Sequence, residues 1–206
     1  MLFRSLHRAP SLMAEEWKNY AVKSGWHADF LKLSLPRVGQ GKCLRPVLMF
    51  TTYETLLGAN YEAPLSLVQT ALALEMLHTY SLVHDDLPCM DDDDFRRGYP
   101  TAHREASEAT ALLLGDALLT GAFEVLANID AEDSQKIYLL SALARLGGAA
   151  GLISGQQRDL HGQVKNTDDL KLLHEEKTGA LFAFCVLAAA KMAASQICPS
   201  CNSPSP

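Results

Sequence analysis

Apolar positions recur at three- and four-residue spacing along most of the chain, and no segment shows clear strand alternation. This pattern predicts helices throughout. Leu12, Trp17, Tyr20, Ala21, Phe30 and Leu31 predict helices over residues 11 to 35, interrupted near Gly25 and ended by Pro36. Val47 to Leu57 predicts a helix closed by Gly58-Ala59-Asn60. The strongly apolar stretch from Leu65 to Val83 predicts a long helix with Glu75, His78, Leu82 and Asp85/Asp86 on one face. Pro88 has no amide hydrogen to bond back to His84, so regular helix should loosen near Asp86 or Leu87. A helix from near Thr101 carries Leu112, Leu113, Leu114, Leu118, Phe123 and Leu126, with Asp116 expected as a satisfied buried polar group. Ile129 to Glu132 is a connection, and Ser134 to Leu152 is helical, with Gly147-Gly148 allowing close packing. Thr167 caps another helix whose first turn holds Asp168 and Asp169, where acids suit the dipole. That helix runs through Lys177-Thr178-Gly179 into an apolar face. The expected fold class is all-α, one helical domain over residues 1–195 followed by a disordered tail at 196–206.

Composition narrows the class. With 206 residues, 48% hydrophobic and 20% charged, the chain is globular with one sizeable core. A net charge of −6 gives no reason to expect nucleic acid or an anionic membrane surface as partner. The 13-residue run from Thr178 to Ala190 is short of a membrane span. Five cysteines, an odd and scattered set, fit a reducing compartment, the cytoplasm ahead of a plastid. Cys198-x-x-Cys201 lacks the second pair that a structural zinc needs. The first fourteen residues hold Arg4, His7 and Arg8 and no acid; a frayed N-terminus is expected there ahead of a transit peptide.

The chemistry concentrates where the apolar helix ends. Six of the ten residues from Asp85 to Asp94 are aspartate, and Arg96-Arg97-Gly98 follow. A charge run is by default a solvated loop. This one ends an apolar helix, is stiffened by Pro88 and is followed at once by two arginines. A bend after Asp86 brings Asp85 and Asp91 toward one point. Crowded carboxylates repel, and a divalent cation relieves them. Mg²⁺ suits, because it takes one or two carboxylates and fills its octahedron with water and phosphate oxygens. Arginine completes a phosphate clamp. A calcium loop does not fit, since counting from Asp91 puts Phe95 and Arg96 where an oxygen ligand and a glycine belong.

Other candidates are weaker singly. Lys42 and Arg45 follow Gly39 and Gly41; on the first turn of a helix they share a face and form either a diphosphate grip or two solvated charges. This is not a P-loop, for Cys43 stands where Ser or Thr is needed. Gln156 and Asp159 lie one turn apart and face either a cleft or solvent. Lys177, at the edge of an apolar run, either reaches a cleft or is solvated.

Taken in order, Lys42-x-x-Arg45-Pro46, Asp85-Asp86-x-x-x-x-Asp91 with Arg96-Arg97-Gly98, Gly115-Asp116, Gly155-Gln156-x-x-Asp159 and Lys177-Thr178-Gly179 resemble the trans-isoprenyl diphosphate synthases, the polyprenyl synthetase family. The resemblance covers roughly residues 36 to 190 and is nearest the short-chain farnesyl/geranylgeranyl branch. It implies the isoprenoid synthase helical bundle and a head-to-tail condensation of isopentenyl diphosphate with an allylic diphosphate. By motif match, Asp85 and Asp91, helped by Asp86, hold Mg²⁺ on the allylic diphosphate, which Arg96 and Lys177 grip. Lys42, Arg45, His78 and Arg97 hold isopentenyl diphosphate. Thr178 and Gln156 sit near the developing cation. Tyr80, with Ser81 beside it, resembles the floor that limits product length in this family, which implies a ten- or fifteen-carbon product, fifteen preferred. A homodimer, or a heterodimer with a related synthase, is implied.

Two departures from the family pattern carry expectations. Cys43 replaces a residue that is often arginine. No Asp or Glu follows Glu176, where the family has a second aspartate motif. This predicts a C-terminally truncated, impaired prenyltransferase. The alternative is a non-catalytic interaction subunit that pairs with a complete synthase. Class I terpene cyclases rank third, having no need of Lys42, Arg45 and Arg97.

Overall fold

A computed structural model describes residues 2–58, 62–162 and 164–197, with side chains from Arg8 onward. Ten α-helices and one π-helical turn make up the described chain: α1 (Leu2–Lys23), α2 (Ala28–Ser34), α3 (Leu44–Leu57), α4 (Leu65–Asp85), α5 (Ala102–Glu105), α6 (Glu108–Ala127), α7 (Asp133–Gly147), α8 (Leu152–Leu160), α9 (Thr167–His174), the π-turn (Glu175–Gly179) and α10 (Ala180–Ile197). The all-α expectation holds. The expected tail, with Cys198 and Cys201, lies beyond the described residues except for Gln196 and Ile197, which end α10.

α4 is the axis of the bundle. A helix apolar on all sides belongs in the interior, and Leu67, Leu72, Leu74 and Met76 are all 0% exposed. It packs chiefly on α6, with α1, α3 and α10 around it, and α10 in turn packs on α3 and α7. Gly147 admits the close approach foreseen for it, since a Cβ there would stand 2.7 Å from Leu77 Cδ1 of α4.

Several expectations need correction. The N-terminal segment is not frayed. α1 continues through Pro10, and Ala9, Met13, Trp17 and Ala21, one turn apart, are 0% exposed. Packing on α3 and α4 outweighs the hydrogen bond that proline forfeits. The helix expected from Thr101 breaks at Ala106, and Ser107 caps α6 by accepting from the Thr110 amide at 3.1 Å. The helix expected over Ser134 to Leu152 divides between Gly147 and Leu152. Asn166, not Thr167, caps α9, its Oδ1 accepting from the Asp168 and Asp169 amides. Ala59 and Asn60, expected to close α3 with Gly58, lie outside the described residues.

One small ladder escaped the helical pattern. β1 (Phe95–Arg96) pairs antiparallel with β2 (Tyr99–Pro100). Arg97 and Gly98 between them have φ of 54° and 83°, the two positive values of a type I′ hairpin turn. The expectation that the late apolar run is too short for a membrane is also revised. Glu108–Ala127, Asp133–Leu160 and, with the π-turn joining α9 to α10, Thr167–Ile197 are each long and apolar enough to cross one by length and composition. In the fold Leu114, Leu118, Phe184 and Cys185 from these stretches are 0% exposed in the core.

Candidate active site

The C-terminal end of α4 carries the chemistry. The last helical hydrogen bond runs from the Asp86 amide to the Leu82 carbonyl at 3.1 Å, and the chain then folds back on itself. The Asp91 amide donates to the Asp85 carbonyl at 2.9 Å, while the Met90 and Asp92 amides return to Leu87. The bend read from Pro88 therefore does bring Asp91 to Asp85.

A cavity of about 450 Å³ opens beside Asp85. From α4 it takes His78, Tyr80, Ser81 and Asp85; from α8, Gln156; from the π-turn, Lys177 and Thr178; Leu152 and Leu160 add apolar wall. Burial pushes the Asp85 carboxyl up to about 6; Lys177 opposes the rise and Asp91 adds to it. The Gln156 Nε2 is buried with no hydrogen-bond partner. Tyr80, 7% exposed, meets His84 edge to face at 5.4 Å.

The opposite wall is zipped by ion pairs that local pattern did not reveal. Lys177 Nζ donates to Asp159, and Arg158 Nε to Glu176 at 2.8 Å. Gly155 makes the approach possible, for a Cβ at that position would fall 2.2 Å from the Lys177 backbone nitrogen.

A second cavity of about 430 Å³ lies on the other side of His78 and Arg45, which line both. Lys42, Arg97 and Glu75 complete its charged lining. Lys42 precedes α3 and is not on its first turn as expected; Cys43, at φ 45°, turns the chain between it and the helix. The two cations are nonetheless brought to one cavity. Arg97 fits against Gly41, where a Cβ would lie 2.6 Å from its Nη1. Burial and the positive field of Arg45, Arg97 and Arg96 push His78 down to about 3, leaving it neutral.

Asp86 and Arg96 turn elsewhere. Neighbouring helix positions point about 100° apart, and Asp86 faces a third cavity, of about 490 Å³, with Arg96. Arg96 donates from Nε at 2.6 Å and from Nη2 at 2.5 Å to Asp86 Oδ1, and Asp93 lies 3.4 Å away. Burial raises the Asp86 carboxyl more than Arg96 lowers it, while the same contact raises Arg96. Two short bonds to one oxygen mark an ionised pair. The structure thus separates Asp86 from the Asp85–Asp91 pair, and among the described residues no group of three His, Cys, Asp or Glu side chains is placed to hold a metal ion. Asp116 is corrected as well: its side chain is 59% exposed, with Oδ1 4.0 Å from His84 Nε2.

The Asp85–Asp91 pair still fits Mg²⁺. The main chain ties Asp91 to Asp85, Asp91 adds to the rise of the Asp85 carboxyl, and Mg²⁺ asks no more than two carboxylates before water and phosphate fill its shell. Sequence reasoning passed over Glu75 as a site residue; the available signal was one acid, three residues before His78, inside an otherwise apolar helix.

Residues 33–201 match the family model described as polyprenyl synthetase. The chain is 42% identical over 151 residues to the farnesyl diphosphate synthase of Micrococcus luteus, covering 72% of this chain and 50% of that protein. It is 47% identical over 147 residues to that of Haemophilus influenzae, covering 68% and 48%. Among solved structures, the FPP/GFPP synthase of Zymomonas mobilis superposes with a TM-score of 0.79 at 33% identity, over 94% of this chain and 72% of that one. The geranyltransferase of Legionella pneumophila gives 0.80 at 29% identity, over 93% and 68%. The chain spans about half the length of the curated relatives it matches.

Proposed function

The chain belongs to the polyprenyl synthetase family, and on that premise we propose that it binds isopentenyl diphosphate and an allylic diphosphate and joins them head to tail, with farnesyl diphosphate as the favoured product. The observation that carries this reading is the shared wall. Arg45 and His78 line both the cavity with Asp85 and the cavity with the cations, so two diphosphate esters bound in them lie side by side, as a condensation between them requires.

Asp85 and Asp91 would hold Mg²⁺ in the first cavity, where it supplies neutralising charge to a departing diphosphate. Lys177 adds a cation there, held in place by Asp159. Arg96 stays paired with Asp86 and acts through its field, which opposes the rise of the Asp85 carboxyl. Gln156 and Thr178 line the same cavity and offer oxygen dipoles to developing positive charge. Leu152, Leu160 and Tyr80 keep water from that charge. Lys42, Arg45 and Arg97 grip isopentenyl diphosphate, and neutral His78 donates a hydrogen bond. Tyr80, with Ser81, closes the cavity against longer chains. Exposed Leu112 and Leu113 on α6 fit burial against a second chain, in a homodimer or a heterodimer with a related synthase. The cytoplasm is the compartment we assign.

The test is incubation of the purified chain with isopentenyl and dimethylallyl diphosphates and Mg²⁺, with chromatography of the products. Farnesyl diphosphate is expected, and longer products from Tyr80→Ala. Binding of both substrates with no product would move the chain to the alternative role of a non-catalytic subunit.

A further inference from the structure

The cavity assigned to isopentenyl diphosphate contains a group that a diphosphate should repel. Glu75 is 5% exposed and lines the cavity with Lys42, Arg45 and Arg97. The charges that act on it come from two elements, Arg45 on α3 and Arg97 in the hairpin turn. Lys42 adds a third cation to the lining, and the remaining titratable neighbours are uncharged. Burial pushes the thiols of Cys43 and of Cys185 on α10 up to about 12, and His78, one turn along α4, is neutral.

Arg45 is held on one face and left open at a donor. Its guanidinium lies 4.9 Å over the Phe182 ring of α10, and its Nε is buried with no hydrogen-bond partner. A buried guanidinium with an unused donor is poised for an acceptor that arrives from outside. A buried carboxylate among cations stays ionised only as long as those cations remain unclaimed.

We propose that Glu75 is the counter-charge of this cavity, a carboxylate that balances Arg45 and Arg97 while the cavity is empty and takes up a proton from solvent when a diphosphate enters. The inference rests on the reading of the cavity as a diphosphate site. Burial already favours the protonated form of Glu75, with Arg45 and Arg97 opposing it. Once the diphosphate engages the two arginines, that opposition is withdrawn and a second negative charge is added, and both changes favour proton uptake. The proton binds a Glu75 oxygen, no other bond changes, and buffer supplies it. Diphosphate affinity therefore falls as pH rises through the Glu75 titration, by about tenfold for each unit by which the ligand raises its proton affinity. Glu75 would thus act as a positioning residue that tunes Arg45 and Arg97 without touching substrate.

The experiment titrates the full chain with inorganic pyrophosphate, without Mg²⁺, at pH 5 and pH 8, in parallel with Glu75→Gln. Expected are equal affinities at pH 5 and roughly tenfold tighter binding by the variant at pH 8. Comparing the two proteins cancels the ligand's own ionisation. Infrared difference spectra of the wild-type protein provide a readout that needs no variant, with a new protonated-carboxyl band expected on adding pyrophosphate. Parallel pH profiles, or no such band, would overturn the inference while leaving the anion site intact. Failure of the wild-type protein to bind pyrophosphate at either pH would overturn the site and the inference together.

Discussion

The two cavities that share Arg45 and His78 are balanced in opposite senses. Around Asp85, carboxylates crowd and a single lysine reaches in from the π-turn, itself claimed by Asp159. Around Arg45, three cations surround one carboxylate. In the proposed function the first is short of positive charge and would be completed by a metal ion, and the second is short of negative charge and would be completed by an anion. One helix, α4, serves both, because Glu75, His78 and Asp85 fall along one face of it while its remaining faces are buried in leucine and alanine. Two sites of opposite demand on one helix would hold their proposed ligands in a fixed register.

The comparison breaks most sharply at Asp85. Asp85→Asn removes a ligand from the carboxylate pair, and Mg²⁺-dependent binding of dimethylallyl diphosphate should weaken by at least about 100-fold, the upper end of what even a supporting residue costs. Pyrophosphate binding without Mg²⁺ should be unchanged. Calorimetric titration of both ligands checks this, and parallel loss would mean that the cavities are not independent. The next effect belongs to the neighbouring aspartate. Asp86→Ala leaves Arg96 without its buried partner and should destabilise the fold by about 3 kcal/mol, read from urea midpoints, the low end of the range because Arg96 is partly exposed.

Arg45→Lys sharpens the anion side. Losing the planar donor fork should cost about 1.5 kcal/mol in pyrophosphate affinity and leave the Mg²⁺-dependent site as it was. Gly155→Ala drives a methyl group into the Lys177 backbone. It should cost about 1–3 kcal/mol of stability and, by displacing Lys177, weaken the allylic side alone. The smallest effect is a slope with pH. The Asp85 carboxyl rises from 3.8 to about 6 on folding, so the folded state holds this proton more tightly. Its contribution to stability is full below pH 3.8 and is lost as pH rises through about 6. The denaturation midpoint of Asp85→Asn should lack that component of the pH profile, and an unchanged slope would remove Asp85 as its source.

Local pattern along the chain was enough for much of this. The 21-residue helix α4, its end at Asp85 and the return of Asp91 all follow from apolar spacing and one proline, which act over a few residues. The cation sets and the assignment of Tyr80 as a floor came from the family resemblance; the fold puts Lys42, Arg45 and Arg97 on one cavity and Tyr80 on the other. Other features depended on groups far apart in the chain. Asp85 and Asp86 are the same residue at adjacent positions, and only the hairpin that brings Arg96 to Asp86 gives them different roles. The Lys177–Asp159 pair exists because Gly155 lets α8 touch the π-turn. α1 survives Pro10 because α3 and α4 bury its far side. Glu75 reads as one acid in an apolar helix until α3 and the hairpin place arginines against it. Spacing along a helix determines which side chains share a face; what meets that face is set by packing between distant segments, and in this protein that meeting pairs Asp86 with Arg96 and leaves Asp85 on the cavity that Lys177 also lines.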